Sequence, residues 1–147
     1  EVGNDVFYSR VIDERFPDFE SVIPKDNNKK LIINRLEFLS TVKRVSVLSN
    51  KTTRQIALNL TKDNIKITTE DNEKSSKGFE NISGSFTGED LIIGYNAAYL
   101  KDILSHLTTD EIMIKLNSPI SAGLFFPKEQ LKDSDLTMLL MPIRLNN

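Results

Sequence analysis

Two copies of one local pattern, sixty residues apart, constrain the fold of this chain more than any other feature of its sequence. In the first copy, Leu31-Ile32-Ile33 leads into Asn34, and an amphipathic segment follows. In the second copy, Leu91-Ile92-Ile93 leads through Gly94-Tyr95 into Asn96, again ahead of an amphipathic segment. Asparagine is a favoured N-cap, so each copy predicts a strand that runs directly into a helix. We therefore expect an internal repeat.

The two predicted helices, residues 35–49 and 97–107, each have one apolar face. At 100° per residue, the apolar side chains fall within about 120° of arc in the first helix and about 140° in the second. They are Phe38, Leu39, Val42 and Val45 in the first helix, and Tyr99, Leu100, Ile103, Leu104 and Leu107 in the second.

Leu36, Val47 and Leu48 lie outside the apolar face of the first helix. Two interpretations are open for them. In one, the helix ends before residue 47 and these side chains cover the core. In the other, they make an apolar contact with another chain.

Segments of alternating apolar and polar residues follow each helix, as is typical of antiparallel strands with one buried face. The pattern predicts strands at 5–12, 55–60, 65–67, 82–86, 112–116, 120–126 and 136–145. The polar stretches 70–77 and 128–135 are predicted loops, and Ser83-Gly84-Ser85 is a predicted strand bulge. A strand, a helix and three strands, twice over, give an α+β fold with both helices on one face of antiparallel sheets.

Composition removes several classes of function. The 147 residues include no cysteine and a single histidine, His106, which excludes disulfide scaffolds, thiolate metal sites and two-histidine metal sites. A formal net charge of −2 does not fit a compact, strongly basic nucleic-acid binder, and no run of about 18 apolar residues is present to span a membrane. His106 is expected on the surface near the end of the second helix. Without a phosphate-binding loop or a nucleophile elbow, the sequence predicts no catalytic residue, no metal and no cofactor.

Apolar residues are concentrated near both ends of the chain. Phe16-Pro17-Asp18-Phe19 follows the first predicted strand, and residues 138–143 are almost wholly apolar. Pro142 marks the edge or the end of a strand, because proline cannot donate to the ladder. Taken alone, the terminal segment fits either an edge strand of the core or one wall of a peptide-binding groove, since methionine adapts to varied partners.

Four segments, in order along the chain, resemble the bacterial sliding clamp family, the beta subunits of DNA polymerase III. Residues 11–24, with Arg15-Phe16-Pro17-Asp18-Phe19 at their centre, resemble the segment that joins the second and third domains. Val47-Leu48-Ser49-Asn50 resembles the end of the first helix of the third domain, and residues 94–104 resemble its second helix. Met141-Pro142-Ile143-Arg144-Leu145 is similar to the carboxyl-terminal signature, with two asparagines appended.

The resemblance implies that residues 1–22 are the last strands and linker of a second domain and that residues 23–147 are a third domain with the DNA-clamp fold. In this family, two three-domain protomers close head to tail into a homodimeric ring around duplex DNA. The ring is a non-enzymatic processivity factor of the bacterial cytoplasm. The implied partners are duplex DNA held without sequence readout, the polymerase III alpha subunit, the clamp loader, and other DNA polymerases and repair proteins that carry clamp-binding peptides.

The resemblance also assigns roles to residues. A partner-peptide groove would be formed by Pro17, Val22, Pro119, Ser121, Met141, Pro142, Ile143, Arg144 and Leu145. The subunit interface would use Val47, Leu48 and Glu80. The DNA-facing residues would be Lys43, Arg44, Lys51, Arg54 and Lys101.

Two alternatives remain open at this point. A stand-alone peptide-binding α+β module without a DNA role would share the groove and would lack basic helix surfaces. A hydrolase or nucleotide enzyme of α+β type would need a catalytic cluster, which the sequence does not contain.

Overall fold

The computed structural model describes residue 3 and residues 6–16, 18–62 and 64–145. Two α-helices and nine strands follow a short 3-10 helix at Phe19–Val22. The elements are β1 (Lys29–Asn34), α1 (Arg35–Ser46), β2 (Gln55–Leu60), β3 (Ile65–Asp71), β4 (Ser76–Ile82), β5 (Gly84–Thr87), β6 (Leu91–Asn96), α2 (Ala97–His106), β7 (Glu111–Leu116), β8 (Gly123–Pro127) and β9 (Met138–Leu140).

The strands form two antiparallel sheets, as predicted. One has five strands in the order β5-β1-β7-β8-β9, and the other has four in the order β4-β3-β2-β6. Helix α1 packs against strands of the four-stranded sheet, and α2 contacts β6, β9 and α1. The α+β class and the repeated strand–helix unit are therefore confirmed.

Both predicted N-caps are present. The Asn34 side chain accepts a hydrogen bond from the Glu37 amide at 2.9 Å, and the Asn96 side chain accepts one from the Ala98 amide at 2.9 Å. Each bond satisfies one of the backbone donors that a helix leaves unpaired in its first turn. The local sequence is therefore sufficient to place the start of both helices.

The apolar face predicted for α1 is buried in full, whereas Tyr99 on α2 is 65% exposed. The buried side chains of α2 are Ala97, Leu100 and Leu104. Tyr99 lies about 130° from the centre of that buried arc at 100° per residue, so its assignment to the core was wrong. The buried face of α2 is centred closer to Ala97 than the spacing of the larger apolar side chains predicts.

The predicted bulge at Ser83-Gly84-Ser85 is wrong, because the chain changes sheets there. β4 pairs with β3 in the four-stranded sheet, whereas β5 pairs with β1 in the other. A β-carbon at position 84 would lie 3.1 Å from Ile65 Cγ1 and 3.2 Å from the Ile32 carbonyl oxygen. A glycine therefore permits the close backbone approach at this crossover.

The loop predicted at 70–77 is shorter than expected, since β3 and β4 extend into it. Glu70 pairs with Lys77 across the two strands, and their side chains form an ion pair at 2.6 Å. Charged side chains are compatible with a strand where one sheet face meets solvent. The loop at 128–135 is confirmed.

The strand predicted at 5–12 is not formed over residues 6–12, and residue 5 lies outside the described residues. Val6, Phe7, Val11 and Ile12 are all more than half exposed. A strand needs a hydrogen-bonded neighbour, and none of the nine strands lies beside this segment. The predicted strands at 120–126 and 136–145 are likewise shorter, at Gly123–Pro127 and Met138–Leu140.

Candidate functional site

The carboxyl-terminal segment, residues 141–145, leaves the five-stranded sheet at β9 and crosses to the edge of the other sheet. The Ile143 amide donates to the Gly94 carbonyl oxygen of β6 at 2.9 Å. Met141 is 60% exposed, Arg144 is exposed, and Pro142, Ile143 and Leu145 are half-buried. Leu140 is buried in the core. Two roles were left open for residues 138–143, a core strand and a groove wall. The part up to Leu140 belongs to the core, and residues 141–143 lie on the surface.

The absence of a side chain at Gly94 makes room for the end of this segment. Gly94 faces outward on β6, opposite Ala57 on β2. A β-carbon at position 94 would lie 2.6 Å from Leu145 Cδ2 and 2.7 Å from the Ile143 carbonyl oxygen. The segment can therefore lie flat on the sheet only because position 94 has no side chain.

A shallow cavity of about 720 Å³ adjoins Leu145 on the outer face of β2, β3 and β4. Ala57, Thr68 and Phe79 are among its lining residues. Phe79 is 62% exposed, and the Lys66 ammonium lies 4.4 Å from the centre of its ring.

The turn between β7 and β8 contributes the predicted residues Pro119 and Ser121. Pro119 is exposed and Ser121 is half-buried. The Ser118 and Ser121 hydroxyl oxygens lie 2.7 Å apart, and the Ser121 amide donates to Ser118 Oγ at 3.2 Å. These hydrogen bonds lie within the turn and stabilise its conformation.

Strand register places this turn beside the terminal segment. Gly123 pairs with Leu140, so the turn that precedes β8 and the segment that follows β9 emerge at the same end of the five-stranded sheet. The first strand also begins at this end, because Lys29 pairs with Leu116, the last residue of β7. Three segments therefore meet at this end of the sheet: the segment that enters β1, the turn after β7, and residues 141–145 after β9.

The linker residues predicted for the groove are only partly described. Val22 ends the 3-10 helix and is 60% exposed. Pro17 lies outside the described residues. The rings of Phe16 and Phe19, on either side of it, meet edge to face with their centres 6.4 Å apart.

The basic side chains predicted to face DNA differ in how far they are engaged. Arg44 forms a bidentate ion pair with Glu80, with Nε–Oε1 at 2.8 Å and Nη2–Oε2 at 2.7 Å. This pairing raises the pKa of Arg44 and lowers the pKa of Glu80. On the same helix, Lys43 is exposed, and its ammonium makes no hydrogen bond or ion pair with another described residue; its carbonyl oxygen accepts from Ser46 Oγ at 3.0 Å. Lys101 Nζ lies 3.5 Å from Ser46 Oγ, at the contact between the two helices.

The other basic residues lie at loops. Lys51 and Arg54 are exposed in the segment between α1 and β2, where the Arg54 amide donates to the Asn50 carbonyl at 2.8 Å. Arg35 at the start of α1 instead donates to the carbonyl oxygens of Thr109 and Leu104. Its charge is therefore directed to the end of α2, where the helix dipole favours a cation.

The predicted interface residues lie at the end of α1 and on β4, which is an edge strand. Helix α1 ends at Ser46, and Val47 is 81% exposed. Leu48 is 40% exposed and packs beside Gly78, where a β-carbon would lie 2.6 Å from Leu48 Cδ1. The helix therefore ends before residue 47, as one interpretation expected, but Val47 does not cover the core. An exposed apolar side chain beside an unpaired strand edge suits contact with another chain.

Among the described residues, no group of three or more His, Cys, Asp or Glu side chains is placed to hold a metal ion. His106 Nδ1 lies 2.8 Å from the Asp102 carbonyl oxygen in the last turn of α2, on the surface as expected. Neither of the two α-helices in this part of the chain is long and apolar enough to cross a membrane.

Sequence patterns missed two features of this site. Gly94 fits a strand without indicating that residues 141–145 would cover it. Asn27 belongs to the polar segment before β1, yet its side chain donates to backbone carbonyl oxygens on both sides of the β7–β8 turn. Neither feature has a periodic signal, because both depend on contacts between residues distant in sequence.

Comparison with known proteins agrees with the architecture. A family model described as "DNA polymerase III beta subunit, C-terminal domain" matches residues 20–144. The beta sliding clamp of Vibrio cholerae is 32% identical over 145 residues, covering 99% of this chain and 38% of that protein. That of Haemophilus influenzae is 34% identical over 143 residues, covering 97% of this chain and 38% of that protein.

A solved structure supports the same relationship. The sliding clamp of Bartonella birtlesii, bound to griselimycin, superposes with a TM-score of 0.85 at 33% identity, covering 91% of this chain and 35% of that one. The predicted DNA-clamp fold and the family resemblance are thus confirmed. The chain spans about 38% of the length of the curated relatives. It belongs to the family of DNA polymerase III beta subunits, the bacterial sliding clamps, and matches their C-terminal domain.

Proposed function

We propose that this chain is the C-terminal part of a processivity factor for DNA replication, a ring that encircles duplex DNA and binds partner proteins through a peptide groove. Residues 23–147 form its third domain, and residues 1–22 are the end of the second domain and the linker. The apolar side chains of a strand are exposed where no neighbouring strand covers them. The exposed apolar residues of 6–12 therefore fit this division.

The observation that carries the proposal is that the segment entering β1, the β7–β8 turn and residues 141–145 meet at one end of the five-stranded sheet. Met141 and Ile120 expose apolar side chains there, at 60% and 66%. Exposed apolar residues beside fixed backbone groups suit a short extended peptide, whose side chains enter pockets while its backbone forms hydrogen bonds. The family implies a peptide that begins with Gln and ends with Leu and Phe.

A titration tests the groove directly. A fluorescein-labelled five-residue peptide that begins with Gln and ends with Leu-Phe is titrated with the chain, and fluorescence anisotropy gives Kd. Met141→Ala should raise Kd about thirtyfold, which corresponds to about 2 kcal/mol for a buried hot-spot side chain. Leu131→Ala is the matched control, since Leu131 is 71% exposed in the loop after β8, at the opposite end of that strand. Equal affinity for the wild type and Met141→Ala would reject the groove.

The ring interface is proposed at Val47, Leu48 and the edge strand β4. In the complete protein, replacing Val47 and Leu48 with Lys places two charges against an apolar contact and should dissociate the ring. Analytical ultracentrifugation of the double variant measures this. A dimer of unchanged stability would exclude these residues from the interface.

DNA contact is proposed to be electrostatic and independent of sequence, with Lys43 and Lys101 on the helix surfaces and Lys51 and Arg54 in the adjacent loop. Arg44 contributes less, since Glu80 compensates its charge. A few solvated cations give only weak binding, with Kd about 0.1 mM or weaker at physiological salt. Retention of DNA then depends on ring closure, with no catalytic step. Tight, sequence-selective DNA binding by the chain alone would contradict this.

The pairing of Arg44 and the engagement of Arg35 favour a second candidate, a stand-alone peptide-binding module without a DNA role. The two candidates differ in the complete protein. A clamp remains on circular duplex DNA after loading and leaves it when the DNA is linearised, whereas a stand-alone module is retained on neither form.

A further inference from the structure

Three side chains at the start of β1 and in the segment just before it form hydrogen bonds to the β7–β8 turn, which carries Pro119 and Ser121, and to the end of β7. Asn27 Nδ2 donates to the Lys115 carbonyl oxygen at 3.0 Å and to the Ala122 carbonyl oxygen at 2.9 Å. These acceptors lie on opposite sides of the β7–β8 turn. One carboxamide therefore bridges the two ends of the turn.

The neighbours of Asn27 add two further bonds to the same turn. Asp26 Oδ2 accepts a hydrogen bond from Asn117 Nδ2 at 2.7 Å, and Lys29 Nζ donates to the Asn117 carbonyl oxygen at 2.9 Å. We call Asp26, Asn27 and Lys29 the clasp. It makes four hydrogen bonds that join residues 26–29 to the end of β7 and to the β7–β8 turn.

The chemistry of the bridge requires an amide at position 27. Both acceptors are carbonyl oxygens, so only the NH₂ group of Asn27 can face them. Its other atom, Oδ1, is buried with no hydrogen-bond partner among the described residues. Burial of an unpaired oxygen is unfavourable. The two donated bonds offset that cost.

The clasp lies between two walls of the proposed groove. Val22 is five residues before Asn27, so the two residues lie at most about 18 Å apart even if the chain between them is fully extended. On the other side, Ala122 directly follows Ser121. The clasp thus ties the segment that follows Val22 to the turn that carries Ser121.

We infer that Asn27, supported by Asp26 and Lys29, is a positioning residue for the partner-peptide groove: it holds the linker that carries Val22 and the turn that carries Pro119 and Ser121 in one arrangement. This inference rests on the proposed function. Asn27 itself need not touch the peptide. Its loss should weaken binding because the two walls must then be ordered when the peptide binds.

The test compares Asn27→Asp with Asn28→Asp. The first keeps the shape of the side chain but sets a carboxylate against two carbonyl oxygens. The second adds the same charge at an adjacent exposed position, whose side chain bonds to no other described residue. Kd for the labelled peptide is measured by anisotropy at 10 °C, where circular dichroism verifies that each variant is folded. Amide hydrogen exchange at Ile120 and Ser121 is measured without peptide.

For Asn27→Asp we expect Kd to rise about five- to tenfold and exchange at Ile120 and Ser121 to accelerate by a similar factor. Asn28→Asp should stay within twofold of the wild type in both measurements. A merely structural role would lower the melting temperature and leave Kd of the folded protein unchanged. If Asn27→Asp fails to fold, Asp26→Ala replaces it, with an expected two- to fivefold rise in Kd, since Asp26 is exposed and loses one bond.

The outcomes separate this inference from the proposed function. If the wild type binds the peptide and Asn27→Asp binds it equally well, the positioning role is wrong while the groove stands. If Met141→Ala and the wild type bind equally, or neither binds, the groove itself fails and the positioning role fails with it.

Discussion

Replacement of Gly94 by Ala is the sharpest perturbation of residues 141–145, because it introduces one carbon atom at a position that those residues cover. The new β-carbon would lie 2.6 Å from Leu145 Cδ2 and 2.7 Å from the Ile143 carbonyl oxygen. The leucine side chain can rotate away, but the backbone carbonyl cannot move without the whole segment. The terminal segment must therefore shift from β6.

The energy of this change can be estimated from its parts. Overpacking of this kind costs about 1–3 kcal/mol, and loss of the bond from the Ile143 amide to Gly94 costs about 0.5–1.5 kcal/mol. Alanine in a strand interior recovers about 0.5–1 kcal/mol relative to glycine. Detachment of residues 141–145 avoids the overpacking and leaves the core intact, since the buried core ends at Leu140. We expect a melting temperature close to that of the wild type and a displaced terminal segment.

Peptide affinity should respond more strongly than stability. If the terminal segment forms one wall of the groove, Gly94→Ala should raise Kd by about tenfold, corresponding to 1.4 kcal/mol. Anisotropy titration gives Kd, and hydrogen exchange of the Ile143 amide reports the segment itself. Ile92→Ala is the control, because Ile92 is two residues away on the same outward face and 54% exposed. An unchanged Kd together with a protected Ile143 amide would show that Gly94→Ala does not displace residues 141–145, contrary to this prediction.

Three further predictions concern the fold. Tyr95→Phe should leave the free energy of unfolding in urea unchanged or raise it by up to about 1 kcal/mol, because the buried hydroxyl has no hydrogen-bond partner among the described residues; a clear loss would reveal a partner. Asn34→Ala should lower that free energy by about 1 kcal/mol through loss of the N-cap bond, and no loss would contradict the cap. The pKa of Glu80 is lowered by Arg44 from its ordinary value of 4.5, so the pair stabilises the fold fully above that pH and progressively less as the pH falls through the lower folded value. The stability difference between wild type and Glu80→Gln should shrink on acidification and in high salt, and a difference that grows would contradict the sign.

Local chemistry explains what the sequence could predict. Asn34 and Asn96 cap helices within three residues of themselves, and the apolar face of α1 follows from spacing alone. The family motifs were equally local, so they identified the fold from short segments. Even here, Tyr99 fell outside the buried arc because Ala97 contributes to the core although it is small.

Contacts between distant residues explain the rest. At Ser83 the chain leaves β3, whose first residue Ile65 pairs with Ile82, and it pairs next with β1, a change of partner that no alternation of residues encodes. The packing of Leu145 against Gly94 joins residues about fifty positions apart. The sequence assigned Arg44 to the DNA-facing residues, whereas the fold pairs it with Glu80, thirty-six positions away.

Chemical-shift mapping of the labelled chain with the five-residue peptide tests the central claim most directly, because it locates the binding surface without any substitution. We expect the largest amide shifts at Val22, at residues 120–122, and at Met141, Ile143, Arg144 and Leu145. Shifts at Lys43 and Lys101 on the helices should be small. Shifts confined to the cavity around Thr68 and Phe79, or none at saturating peptide, would contradict the assignment of the groove to this end of the sheet.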